Sequence, residues 1–212
     1  MIPAAYPEPL FQRLYSACIK VAHDFRAADS PWERVPMDVP ATAFGPGSLC
    51  PFSRYFEGES HIRAASIDAV IDWLRGCEYV SDLDQFNECD RWQAPCEFER
   101  SRRGDCEDFA LWAWRKLAEI GVDAEFYVGR VELDEELESD RQHAWVVYRA
   151  GLEEFLFEPA AGSAGAMIRP LSDVQDDYVP HFAVNRRFKT SAFVGCILDS
   201  DRIKRRAAGS PT

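Results

Sequence analysis

Residues 105–158 constrain the fold more than any other stretch. Over 105–120 the apolar residues Phe109, Ala113, Leu117 and Ile120 recur at steps of three and four, which predicts a helix with one buried face. Asp105 suits the N-cap of that helix and Gly121 its stop. The period then changes: 124–133 alternates and is rich in Val, Tyr and Phe, so a strand is expected. Two more strands are expected at about 143–149 and 153–158, joined near Ala150-Gly151, where glycine favours a tight hairpin. If Ala150 and Gly151 are the two loop residues, Arg149 pairs with Leu152, and counting outward sets His143 opposite Glu158. Directly opposed residues have Cβ atoms about 4.5–5.5 Å apart on one face. A slip of one residue would put them on opposite faces.

The rest of the chain is less regular. A helix is expected at about 7–28, with Leu10, Leu14, Cys18 and Val21 on one face. The stretch 30–58 holds Pro31, Pro36, Pro40, Pro46 and Pro51 and reads as irregular connection. Residues 60–74 look helical, with Ile62, Ala65, Ala69 and Trp73 on one stripe. The acidic run at 134–140 is expected to be an exposed loop. Late strands are expected near 182–184 and 192–198. The resulting division is an N-terminal extension at 1–58 packed on the core, a core at 59–200, and a flexible basic tail at 201–212.

Composition excludes several classes. A hydrophobic content of 47% is enough for a packed core. The formal charge of −12 argues against nucleic acid as a partner, because such binders displace counterions with a basic patch. No apolar run approaches the roughly 20 residues that span a bilayer, so no membrane is expected. The first residues, Met-Ile-Pro-Ala-Ala-Tyr-Pro-Glu-Pro, show no basic stretch followed by an apolar one. The seven cysteines are scattered, without the spacing of a disulfide framework or of a zinc site. A reduced, cytoplasmic setting is the expectation from these features.

Cys106 falls at the start of the predicted helix. Free N–H groups and the helix dipole there favour a thiolate, the nucleophilic form of cysteine. Asp105, Glu107 and Asp108 surround it with negative charge and oppose the thiolate. A nearby imidazolium is needed to win that contest, and His143 is the candidate. Taken singly, each residue has a plain structural explanation: a buried small hydrophobe, a satisfied strand histidine, a strand-end carboxylate before Pro159. Together, a Cys at a helix start with a His and a carboxylate on paired strands form a nucleophile, base and orienter.

These residues carry a family resemblance. Gly104-Asp105-Cys106-Glu107-Asp108-Phe109-Ala110 resembles the nucleophile motif of bacterial transglutaminase-like cysteine peptidases. The preceding Asp90-Arg91-Trp92-Gln93-Ala94-Pro95-Cys96-Glu97-Phe98 is similar to the family's approach to that motif, and His143-Ala144-Trp145-Val146 to its histidine strand. Phe157-Glu158-Pro159 stands where these proteins usually have an Asp. The resemblance covers about 70–160. It implies a papain-like α+β fold, with a nucleophile helix packed on an antiparallel sheet. It also implies acyl transfer through a thioester on a protein or peptide substrate, as a cysteine peptidase or amidase. Cys106 would attack, His143 would move the proton and Glu158 would hold the imidazole. The Cys106 backbone N–H and a side chain, Trp92 or Gln93, would meet the oxyanion. No cofactor is required. Periplasmic members that trim surface adhesins include some that bind calcium through acidic residues beside the nucleophile, and Asp105 and Glu107 match that motif. Two carboxylates are few for the roughly six to eight oxygens calcium prefers. The alternatives within the same resemblance are a transglutaminase or deamidase acting on Gln side chains, and an inactive protein-binding module.

Overall fold

The computed structural model describes residues 30–132 and 142–199. The helix expected at 7–28, the acidic run at 134–140 and the basic tail at 201–212 lie outside the described residues.

Elements are numbered in chain order. The strands are β1 (Arg34–Val35), β2 (Glu78–Tyr79), β3 (Arg103–Gly104), β4 (Asp123–Val131), β5 (Gln142–Ala150), β6 (Glu153–Phe157), β7 (Ile168–Pro170), β8 (Tyr178–Asn185) and β9 (Thr190–Phe193). The helices are α1 (Ile67–Leu74), α2 (Asp82–Phe86), α3 (Pro95–Ser101), α4 (Cys106–Glu119), α5 (Ala164–Met167) and α6 (Leu171–Val174). Seven strands form one sheet in the order β1-β9-β8-β4-β5-β6-β7, with antiparallel pairing throughout. β2 and β3 form a small parallel pair just ahead of α4. The fold is α+β, with the helix that begins at Cys106 laid on an antiparallel sheet, the architecture of a papain-like transglutaminase core.

α4 is buried more completely than one amphipathic stripe predicts. Ala110, Leu111, Trp112, Ala113, Trp114 and Leu117 have no exposed surface. A helix buried on so many sides needs cover beyond the sheet, and residues upstream supply it. Trp73 of α1 stacks on Trp112 at 3.9 Å between ring centroids, and Phe56 meets Trp114 edge-on at 4.6 Å. Phe44, Phe52 and Tyr55, from the proline-rich stretch, are buried in the same core. The far face of the sheet carries a second apolar cluster that includes Tyr127, Trp145, Val147, Leu156 and Tyr178.

Three expectations change. The hairpin between β5 and β6 closes on Gly151 and Leu152, with Ala150 paired to Glu153 and Val146 to Phe157. Gly151 carries the positive φ of the turn, 66°, so Ala150 stays in the strand. The register therefore moves by two residues, which leaves every side chain on its expected face. The helix expected over 60–74 shrinks to α1. Ser66 caps it by accepting a bond from the Ala69 N–H, while Ser60 and the Ile62 carbonyl are turned to the buried Lys116 ammonium. The strand expected at 192–198 ends at Phe193, and 194–199 is helical. There the Val194 and Gly195 N–H groups turn to the carbonyls of Glu33 and Pro31 (2.9 and 3.0 Å) and leave the ladder.

Candidate active site

The local fold around Cys106 depends on Gly104. A Cβ at that position would lie 2.2 Å from Asp108 Oδ2, so glycine alone lets the first turn of α4 close back on β3. Asp108 then accepts bonds from the Gln93 N–H (2.7 Å) and from the Gln93 amide, which fastens 90–95 beside Cys106. Asp105 occupies the N-cap position, but its side chain makes no capping bond.

His143 opens β5 and Glu158 follows β6. His143 Nε2 and Glu158 Oε2 are 2.7 Å apart. Extending the β5–β6 register by one pair sets Glu158 beside Trp145, so His143 is its diagonal neighbour. Diagonal Cβ atoms are about 7–8 Å apart, and the extra methylene of glutamate spans that gap where an aspartate would fall short. The Glu158 N–H is held by the Met167 carbonyl at 2.7 Å. With Nε2–H donated to Glu158, the imidazole keeps the lone pair on Nδ1.

The two halves of the site come from opposite faces of the sheet. Ala144 and Val146 face α4, whereas Trp145 and Val147 belong to the far cluster. His143, two residues from Trp145, shares its face and overlies its ring at 6.2 Å. Cys106 reaches the strand end from the helix side, where the Ala144 N–H donates to Sγ. Among the described residues the thiol donates to Glu107 Oε2 at 3.4 Å. Burial first, then the Glu107 and Asp105 carboxylates, push the Cys106 thiol well above its ordinary range. Each of these influences favours the neutral thiol.

The acidic neighbours are more numerous than the local motif reveals. Asp82, from α2, and Asp90 converge on Asp105, Glu107 and Asp108. Ligand atoms of Asp82, Asp90 and Glu107 lie within 4.8 Å of one another, as do those of Asp82, Asp105 and Asp108 and those of Asp105, Cys106 and Glu107. Burial, reinforced by neighbouring carboxylates, raises the Glu107 and Asp108 carboxyls well above their usual range. Burial pushes Asp82 up to about 6, against a bond from the Arg91 N–H and with help from Asp105 and Asp90. Sequence reading missed Asp82 and Asp90 as members of this cluster. Asp90 stood in the quoted approach segment, but no spacing rule links Asp82 to a helix start 24 residues away in the chain.

The oxyanion assignment needs correction. Trp92 Nε1 donates to Asp90 Oδ1 at 2.8 Å. Gln93 is buried, and its amide donates to Asp108 and to the Arg103 carbonyl (2.9 Å) while accepting from Ser101. Each side chain is spent on the scaffold and offers no free donor to a substrate. Their role is to position 90–95 and, through Asp90, the acidic cluster.

No family model and no curated protein matches the chain. Solved structures do. Legionella pneumophila LapG in a calcium-bound form aligns at 21% identity over 57% of this chain and 64% of that one, with a TM-score of 0.43. An EGTA-treated form aligns at 20% identity over 57% and 62%, with a TM-score of 0.44. A Cytophaga hutchinsonii protein described as a cysteine protease aligns at 15% identity over 63% and 43%, with a TM-score of 0.37. The chain spans less than two thirds of each of these. The likeness is a distant one of fold, to transglutaminase-like, papain-fold cysteine proteases. The cytoplasmic expectation is withdrawn: the structures found include LapG, a periplasmic or secreted protein rather than a cytoplasmic one. Among the described residues no helix is long and apolar enough to cross a membrane.

Proposed function

We propose that the chain is a cysteine hydrolase that cleaves a protein or peptide amide through a thioester on Cys106. The observation that carries this reading is the 2.7 Å contact between His143 Nε2 and Glu158 Oε2, at the strand end where the Ala144 N–H meets Cys106 Sγ. In this reading His143 takes the thiol proton as Sγ attacks the carbonyl carbon. The C–N bond breaks, and the proton goes to the leaving amine. Water, deprotonated by His143, then hydrolyses the thioester and restores the thiol. Glu158 keeps the imidazole in the tautomer whose Nδ1 accepts the proton.

A calcium site beside the nucleophile belongs to the same reading. The residues present fit a hard cation: Asp82 Oδ1, Asp105 Oδ1 and Glu107 Oε1 are buried oxygens without a hydrogen-bond partner. Asp82, Asp90, Asp105, Glu107 and Asp108 would hold it, which adds three carboxylates to the two in the motif. A bound divalent ion would offset their mutual repulsion.

Two experiments test the reading. Iodoacetamide treatment of the full chain in calcium, followed by mapping of the alkylated cysteines, is expected to label Cys106 ahead of the exposed Cys89. Equal rates, with no loss of amidase activity in Cys106→Ala, would remove the enzyme from consideration. Thermal unfolding tests the cation. Asp82 has a folded pKa raised to about 6, so its contribution to stability is full below about pH 4 and is lost as pH rises through 6. In EGTA the Tm is expected to fall across that window. Calcium at 100 times its Kd is expected to add about 2.7 kcal/mol at neutral pH, and Asp82→Asn with Asp105→Asn to abolish the gain. A Tm indifferent to calcium rules the site out.

A further inference from the structure

Glu158 Oε2 receives a second contact that the catalytic reading does not use. The hydroxyl of Tyr178, the first residue of β8, lies 3.2 Å from the same oxygen that faces His143. Arg169 Nη2, from β7, lies 3.2 Å from the Tyr178 oxygen. The chemistry of the three groups fixes the direction of every bond. A guanidinium can only donate, so Arg169 donates to the phenol oxygen. An ionised carboxylate can only accept, so the single phenol proton must point at Glu158. Tyr178 is therefore left no freedom to rotate its proton elsewhere, and Glu158 Oε2 takes two donors, one from the phenol and one from the imidazole.

We propose that Tyr178, braced by Arg169, is a positioning residue that holds Glu158 Oε2 on His143 Nε2; this rests on the triad reading given above. The need for such a brace follows from the register. Glu158 reaches His143 along a diagonal, past the end of β6, with one more rotatable bond than an aspartate has. Its other oxygen, Oε1, is buried with no hydrogen-bond partner and adds no hold. Without a second donor on Oε2 the carboxylate could swing to exchange the two oxygens. Tyr178 is itself rigid. It is buried, its ring packs edge-on against Trp145 at 5.1 Å, and Trp145 is the residue that His143 overlies. Burial, with the Glu158 carboxylate adding, raises its phenol far above neutral pH, so it remains a donor. Four side chains, His143 and Trp145 from β5, Tyr178 from β8 and Glu158 after β6, thus form one unit on the sheet face away from α4.

The experiment reads the imidazole directly. In the full-length protein with ¹⁵N-labelled histidine, the His143 ring is expected to show a single tautomer with its proton on Nε2 and slow exchange of that proton. Tyr178→Phe preserves the ring packing and removes only the hydroxyl. It is expected to speed exchange at least about tenfold and to bring the second tautomer into view. Arg169→Leu is expected to shift the same signals in the same direction by less, and Arg169→Lys to restore them. In a Glu158→Gln background Tyr178→Phe is expected to add nothing. Wild-type behaviour of the His143 ring in Tyr178→Phe overturns the proposal. If Tyr178→Phe does not fold, a wild-type His143 signal in Arg169→Leu overturns it equally. The ring signals are independent of Cys106 chemistry. Slow alkylation of Cys106 in the wild type together with shifted ring signals in Tyr178→Phe defeats the hydrolase reading and leaves the brace standing, whereas fast wild-type alkylation with unshifted ring signals does the reverse.

Discussion

In His143→Ala, alkylation of Cys106 by iodoacetamide at neutral pH is expected to slow about 100-fold, at the lower end of what a positioned base supplies. The size of the effect follows from the surroundings of the thiol. Burial and the carboxylates of Glu107 and Asp105 raise it well above the range of a free cysteine. Against these, among the described residues, stand the helix start and the Ala144 N–H, both fixed and both weaker than a full charge. A thiolate in this place needs a base that removes its proton and leaves a cation behind. Glu158→Gln is expected to slow the reaction by a smaller factor, about tenfold, because the imidazole is retained but its tautomer is no longer enforced. The exposed Cys89 serves as the internal standard and is expected to keep its rate in every variant. Equal labelling of Cys106 in wild type and His143→Ala would show that the imidazole does not act on the thiol.

Much of this pair was legible in the sequence, and the reason is periodicity. A strand repeats every two residues, so the expected hairpin, although off by two, still put His143 and Glu158 on one face. The error itself explains a detail. With the expected register the two residues are directly opposed and an aspartate would do. With the observed one they are diagonal, and the longer glutamate is the fitting residue. The start of α4 was legible for a similar reason, since helix periodicity and the Gly-Asp-Cys motif agree on it.

What escaped the sequence depends on tertiary contact. Gln93 looks like a free amide donor, and only the fold shows Asp108 bent back over Gly104 to consume it. Asp82 looks like an ordinary residue in the first turn of a short helix, and only the β2–β3 pairing brings α2 against the start of α4. The irregular stretch before α1 gave no periodic signal, yet Phe44, Phe52 and Tyr55 insert from it into the main core. Such segments are placed by the side chains they bury, and no local pattern announces which will be buried.

The largest loss of stability outside the site is expected in Lys116→Met. Lys116 lies on α4, three turns beyond Cys106, with no exposed surface. Its ammonium contacts Glu99 Oε1 at 3.0 Å, Glu119 Oε2 at 2.9 Å and the Ile62 carbonyl at 2.7 Å, and it also meets Ser60. Glu99 is nearly as buried, and it further accepts from Trp112 Nε1 at 3.0 Å and from the His61 N–H at 3.0 Å. Burial works against the Glu99 charge, but Ser60, Lys116, His61 and Trp112 together hold its carboxyl below the usual range. Removing the ammonium leaves that charge inside the protein with neutral donors only. Breaking one partner of a buried pair costs about 3–5 kcal/mol, which at roughly 2–4 °C per kcal/mol for a chain of this size is about 6–20 °C of Tm. Adding Glu99→Gln should recover about half the loss, because the amide oxygen still accepts from Trp112 and carries no charge. Urea unfolding of the two variants decides between this account and plain packing. If Lys116→Met and the double variant lose the same amount, the lysine stem rather than its charge holds α4 in place.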